Sequence, residues 1–208
     1  MNTEQTQNTR ETNPVYAAWV KMRGNMPLAP MQFARHAFDA IAAGEPTTVA
    51  KAAKALGITE AEAKEHVETI QGWGLMNLEG DAIVGSLGLT TQPTQYQVEL
   101  DGRSLHVWCA LDAVGIPAAL GTDASIKVDG LADVQIRKGK LEAAEPSTLR
   151  ISLNDPYMAS DMKAEICPTI SFHEAAGDAH ESLFWMTVDD AMELGKIIWE
   201  RPAPENTQ

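Results

Sequence analysis

Cys109 and Asp112 stand three residues apart at the head of an Ala- and Leu-rich run, CALDAVGIPAAL, that reads as a helix. At a helix N-terminus the unpaired amides and the macrodipole favour a thiolate over a thiol, so the expectation is a lowered thiol pKa. A spacing of three puts Asp112 on the same helix face. Together they offer a soft nucleophile and a carboxyl group aimed into one space. The same residues also suit a buried small apolar side chain and an ordinary first-turn acid. The chain has one other cysteine, Cys167. It lies too far from Cys109 for a zinc-knuckle spacing, and a lone disulfide is uncommon in a reducing compartment, so two free thiols that meet in the fold remain open.

The element that must position Cys109 is the hairpin before it. Tyr96, Val98 and Leu100 alternate with polar residues, Asp101-Gly102 supplies the two positive-φ positions of a tight turn, and Leu105 and Val107 alternate on the return. A two-residue loop pairs Val98 with Leu105 and Tyr96 with Val107, which puts the apolar residues on one face. Trp108 ends the strand. Gly115 and Pro117 are expected to split the following helix after two turns.

This stretch resembles the core of the alkylmercury (organomercurial) lyases. The match runs through Tyr96, Leu100 to Leu105, Trp108-Cys109-Ala110-Leu111-Asp112, Pro117-Ala118 and Gly121. Further on, Glu142 to Pro146, Ile166-Cys167 before Phe172, and Thr187 to Ala191 with Leu194-Gly195 are similar to later family segments. The resemblance covers roughly residues 26 to 200, and the Trp-Cys-Ala-Leu-Asp block is its most specific part. It implies protonolytic cleavage of carbon–mercury bonds by two cysteines and an aspartate, which fall on Cys109, Cys167 and Asp112. On that basis Cys109 and Cys167 take up the mercury, Asp112 handles the proton and joins them around the Hg(II) product, and Trp108 is a possible pocket wall. It further implies no cofactor, a need for free low-molecular-weight thiols, and a mercuric reductase as acceptor of the ion. Family members commonly carry a further cysteine after the first site helix, and this chain has none.

Composition sets the outer bounds. With 208 residues, 44% apolar and 22% charged, the chain reads as a soluble globular protein. A net charge of -13 argues against nucleic acid and anionic membranes as partners, and leaves a small neutral or cationic substrate open. No apolar run reaches membrane-span length and the first residues lack the apolar middle of a signal peptide, so the expected location is the cytoplasm.

In chain order, residues 1–12 read as a polar, disordered tail. Asn13-Pro14 opens a helix to about Arg23, a second runs from Met31 to Gly44, a third is capped at Thr47 or Thr48 and stops at Gly57, and Thr59 with Glu62 caps a fourth that ends at Gly72. A hairpin around Glu79-Gly80-Asp81 follows. That order is a winged helix-turn-helix, which makes a DNA-binding regulator a rival. Its would-be recognition helix carries Glu60, Glu62, Glu65 and Glu68 against Lys64, so a packing module without DNA contact suits it better. The expected fold is α+β: a winged-helix-like helical module over 13–90, a mixed β-sheet domain with flanking helices over 91–202, and a tail over 203–208. Strands are expected at Ser125 to Val128, Val134 to Ile136, Leu149 to Leu153, Ala164 to Phe172 with Cys167 inside it, and Leu183 to Met186. His106 reads as a ribbon-face residue, His173 and His180 as solvated loop residues. A thiophilic metal-binding or sensing relative without lyase activity is the alternative function, favoured if Pro168 displaces Cys167.

Overall fold

A computed structural model describes residues 12–158, 160–177 and 183–199. The expected tails, apart from Thr12, and His180 lie outside the described residues. Four helices come first: α1 (Pro14–Gly24), α2 (Leu28–Ala42), α3 (Val49–Leu56) and α4 (Glu60–Gly72). Their boundaries follow local chemistry. Asn13 Oδ1 accepts the amides of Val15 and Tyr16, Thr48 accepts that of Lys51, and Thr59 with Glu62 forms the expected capping box. Gly57 closes α3 in the left-handed region, where it has no Cβ to strain.

An eight-stranded sheet follows in the spatial order β1-β2-β3-β5-β4-β6-β7-β8. Its strands are β1 (Met76–Glu79), β2 (Ala82–Ser86), β3 (Leu89–Thr90), β4 (Tyr96–Leu100), β5 (Arg103–Val107), β6 (Ala124–Val128), β7 (Ala132–Arg137) and β8 (Lys140–Glu145). A second sheet places β9 (Arg150–Asn154) between β10 (Phe172–His173) and β11 (Leu183–Thr187). Two helices complete the fold, α5 (Ala110–Leu120) and α6 (Val188–Trp199). Every pairing among the described strands is antiparallel, so the sheet is not mixed as expected. Tight hairpins join most neighbouring strands, and a parallel pair would need a long crossover.

The central hairpin has the anticipated register, Tyr96 opposite Val107 and Val98 opposite Leu105, with Asp101 and Gly102 both at positive φ. The short strand β3 pairs with β2 on one side and β5 on the other. The sheet therefore runs through the neighbourhood of residue 90, and the buried residues of both halves form one core. Indole and guanidinium groups tie the halves further: Trp19 Nε1 donates to Asn154 O at 2.8 Å, Arg23 Nε to Ile198 O at 2.8 Å, and Arg35 Nη1 to Trp199 O at 2.7 Å. No helix among the described residues is long and apolar enough to cross a membrane.

Contrary to expectation, Gly115 and Pro117 do not split α5, which is continuous and buried from Ala110 to Ala118. Packing on all sides overrides the weak local preference. Gly115 has a different purpose: it meets Gly195 of α6, and a Cβ on Gly195 would lie 2.8 Å from the Gly115 carbonyl carbon and oxygen. The two glycines let the helices cross backbone to backbone. Gly195→Ala should therefore destabilise the fold by about 1–3 kcal/mol through overpacking. The check is a melting temperature lowered by several degrees.

Candidate active site

Cys109 is the N-cap of α5 and Asp112 its N3 residue, and the two reciprocate as a capping box. Asp112 Oδ2 accepts the Cys109 amide at 2.9 Å. The hairpin fixes the start of this helix, since Trp108 N donates to Gly88 O at 3.0 Å just before the chain turns into α5. From the other side Ala110 N donates to Ile170 O at 3.2 Å, which draws the segment containing Cys167 against the same helix end.

Cys167 does not sit in a strand. Residues Met162–Ile166 form a π-helical turn and Cys167–Thr169 a 3-10 turn with Pro168 near its start, where a missing amide costs nothing. Asp161 caps the first turn by accepting the Ala164 amide at 2.8 Å. Met162, Ile166 and Ile170 are buried along one side, and Ser152 Oγ holds Thr169 O at 2.8 Å. Pro168 thus shapes a tight turn that leaves Cys167 buried at 6% exposure rather than displaced. His173 is likewise not a solvated loop residue. It lies in β10, its Nε2 3.2 Å from Ser152 Oγ and its ring edge-on to Trp185, and burial pushes its pKa down.

The Cys109 and Cys167 sulfurs and an Asp112 oxygen all lie within 4.8 Å of one another, all three side chains buried. Both thiols are free. Burial reverses the expected effect of the helix terminus: the Cys109 thiol is pushed well above its usual pKa, first by desolvation, then by the Cys167 hydrogen bond and the Asp112 charge. Magnitudes explain the reversal. A helix terminus contributes about 0.3–1 kcal/mol, up to about 2, whereas full burial can move a pKa by up to about 3–5 units, each unit being about 1.4 kcal/mol. Asp112 is pushed up to about 7 by the same burial, against hydrogen bonds from Cys109 and the Trp108 backbone.

Two features hold Asp112 in place that the sequence did not reveal. Leu87 and Gly88 form a turn with positive φ, and a Cβ on Gly88 would lie 2.6 Å from Asp112 Cγ. Trp199 Nε1 donates to Leu87 O at 2.7 Å, fastening that turn from α6. A Gly between two leucines in a Gly- and Thr-rich stretch was the only available signal. Trp108 does wall the cavity, with Lys163 Nζ 5.4 Å over its ring.

The cavity reaching the three groups has a volume of about 50 Å³ and is almost wholly apolar. Its cover comes from α1 and the chain leading to α2, through Trp19, Met22 and Met26. A close approach joins cover to site: a Cβ on Gly74 would lie 2.8 Å from both Asp161 Cγ and Met162 N. Gly74 is also at φ +68°, so Gly74→Ala strains the backbone and pushes away the turn bearing Cys167. This variant should lose at least about 1 kcal/mol of stability.

The sequence profile of the alkylmercury lyases (MerB) matches residues 89–197, more than half the chain. The chain belongs to the alkylmercury lyase family. It is 27% identical to the alkylmercury lyase of Staphylococcus epidermidis over 180 residues, covering 80% of this chain and 82% of that protein. The Streptomyces lividans alkylmercury lyase is 29% identical over 172 residues, covering 77% and 78%. The fold is similar to the crystal structure of the mercury-bound form of MerB2, with a TM-score of 0.75 at 22% identity over 88% of this chain and 96% of that one. The alkylmercury-lyase-like architecture thus includes the helices before residue 89, which the family profile leaves out.

Proposed function

We propose that this protein is an organomercurial lyase that uses Cys109, Cys167 and Asp112 to split a carbon–mercury bond into a hydrocarbon and mercury(II). The observation that carries the reading is the meeting of two buried thiols and one buried carboxyl group within 4.8 Å, in a chain of this family. Mercury(II) is a soft ion for which thiolate is the preferred ligand. A free carbanion cannot leave into water, so the bond needs electron density on the metal and a proton at carbon.

The protons balance as follows. One cysteine bonds mercury, and its proton leaves with the ligand the organomercurial carried. The second thiol passes its proton to the Asp112 carboxylate as its sulfur adds to mercury, giving an anionic centre with two sulfurs and one carbon on the metal. Asp112 then gives that proton to carbon; the hydrocarbon departs, mercury(II) remains on two thiolates and Asp112 is again ionised. The raised Cys109 pKa suits this scheme, because a resting thiolate there would carry no proton to give. Two small external thiols exchange onto the metal and regenerate the cysteines. No cofactor enters, the ion can pass onward to a mercuric reductase, and the cytoplasm is the setting in which such thiols are abundant.

The scheme has a pH signature. Asp112 must be ionised to take the second thiol's proton, and its pKa lies at about 7. Activity should rise with pH through that value and level off above it, because the carboxylate form accumulates as pH increases. Asp112→Asn should lack the rising limb at 7. A rate that falls through pH 7 would reverse the assigned role.

The test of the function is headspace detection of benzene from phenylmercury incubated with the protein and excess small thiol. Many turnovers, lost in Cys109→Ala, are expected. Tight mercury binding without benzene would instead make the chain a binding or sensing relative. For the DNA-binding alternative, the acidic face of α4 remains the opposing argument.

A further inference from the structure

Beside the site cavity lies a second, wider recess of about 240 Å³, lined also by Asn25, Trp73, Pro156, Tyr157 and Ser160, which shares part of the cavity's lining. The residues common to the linings of cavity and recess are Met22, Met26 and Met162, and these are all methionines. They come from three separate places: Met22 from α1, Met26 from the link to α2, and Met162 from the π-helical turn that carries Cys167. Three methionines therefore form the boundary, or neck, between the outer recess and the cavity of the buried thiols. A fourth, Met31 of α2, lines the inner cavity.

We propose that Met22, Met26 and Met162 form a thioether receiving site, which takes the mercury atom of an incoming organomercurial as a weak soft ligand set and hands it inward to the cysteines. The inference rests on the lyase reading and deepens it. A substrate crossing this neck leaves water for a mostly apolar lining, in which the methionines offer its metal a neutral soft donor. Thioether sulfur matches mercury(II) in softness and has no proton to lose, so its lone pair is available at any pH. The thioether adds as an extra neutral ligand while the substrate keeps both its carbon and its original ligand; no bond to mercury breaks until the cysteines act. Weakness is required, since a tight ligand at the neck would trap the metal. Methionine's three rotatable bonds also let these side chains yield to a methyl or a phenyl group.

The test uses the full chain with methyl-13C methionine and the Cys109→Ala/Cys167→Ala double substitution, titrated with methylmercury chloride. The methyl resonances of Met22, Met26 and Met162 should shift, and those of Met186 and Met192, in the second sheet and α6, should stay. No shift at the neck, or equal shifts with benzene, which fills apolar space without coordinating, would overturn the proposal. With both cysteines intact, the triple variant Met22→Leu/Met26→Leu/Met162→Leu keeps apolar volume and removes sulfur. Its kcat/KM for methylmercury should fall about tenfold, the loss carried by KM. An unchanged kcat/KM would also overturn the proposal. If the wild-type protein releases no hydrocarbon, the lyase reading fails, and the resonance titration alone decides the neck.

Discussion

Cys167→Ala should reduce benzene release from phenylmercury by about 10⁴-fold or more, the scale on which enzymes lose activity when one member of a cooperating set is removed. With a single thiolate, mercury in this cavity keeps its carbon ligand and gains too little electron density for the bond to yield. The variant should still take up phenylmercury, bound through Cys109, and mass spectrometry of the intact protein should find that adduct. Loss of turnover with the adduct retained separates the cleavage role of Cys167 from capture. Full activity would sink the two-thiol scheme. The fold should tolerate the change, because the turn is held by the Asp161 carboxylate on the Ala164 amide, the Ser152 hydroxyl on Thr169 O and the Ile170 amide on Cys167 O rather than by the sulfur.

Asp112→Asn should lower cleavage by about 10²- to 10⁴-fold, the usual reach of a general acid–base group. Asparagine keeps an oxygen that can accept the Cys109 amide, so the helix cap survives, but it neither takes nor gives the proton. Binding of mercury(II) by the two thiols should persist. The two variants thus differ in kind: Cys167→Ala should hold an organomercury adduct on one sulfur with no second thiol beside it, and Asp112→Asn should stall with the adduct on one sulfur beside a second thiol that keeps its proton. Single-turnover measurements with both would order the steps, and rapid cleavage by Asp112→Asn would show that the proton comes from elsewhere.

Local rules carried the hairpin and its neighbours. Asp101-Gly102 dictated the turn, alternation set the register, and Thr59 with Glu62 marked the start of α4, since each signal lies within a few residues of its effect. The placing of Cys109 and Asp112 on one helix face was legible for the same reason. The turn around Cys167 was harder, because Ile166, Ile170 and Phe172 satisfy a strand by residue type, while the helical clues were an Asp161 cap and the four-residue spacing of Met162, Ile166 and Ile170. β8 was missed because Lys140 to Glu145 is charged and Ala-containing, as suits an exposed edge strand that buries little. Thiol acidity could not be read at all. It depends on burial by Leu87, Trp199 and the methionines, which are distant in sequence and meet only in the fold.

The cover of the cavity and its reactive groups lie on different stretches of the chain. Trp19, Met22, Met26, Met31 and Leu75 shape the space, whereas Cys109, Asp112 and Cys167 act within it. Changes at Trp19, Met22, Met26 and Met31 can therefore alter which organic group is admitted while Cys109, Asp112 and Cys167 are kept. Selectivity can drift in part without reactivity in descendants of this chain, and recombination between relatives near residue 80 would exchange the cover while the walls at Trp108 and Met162 travel with the reactive groups.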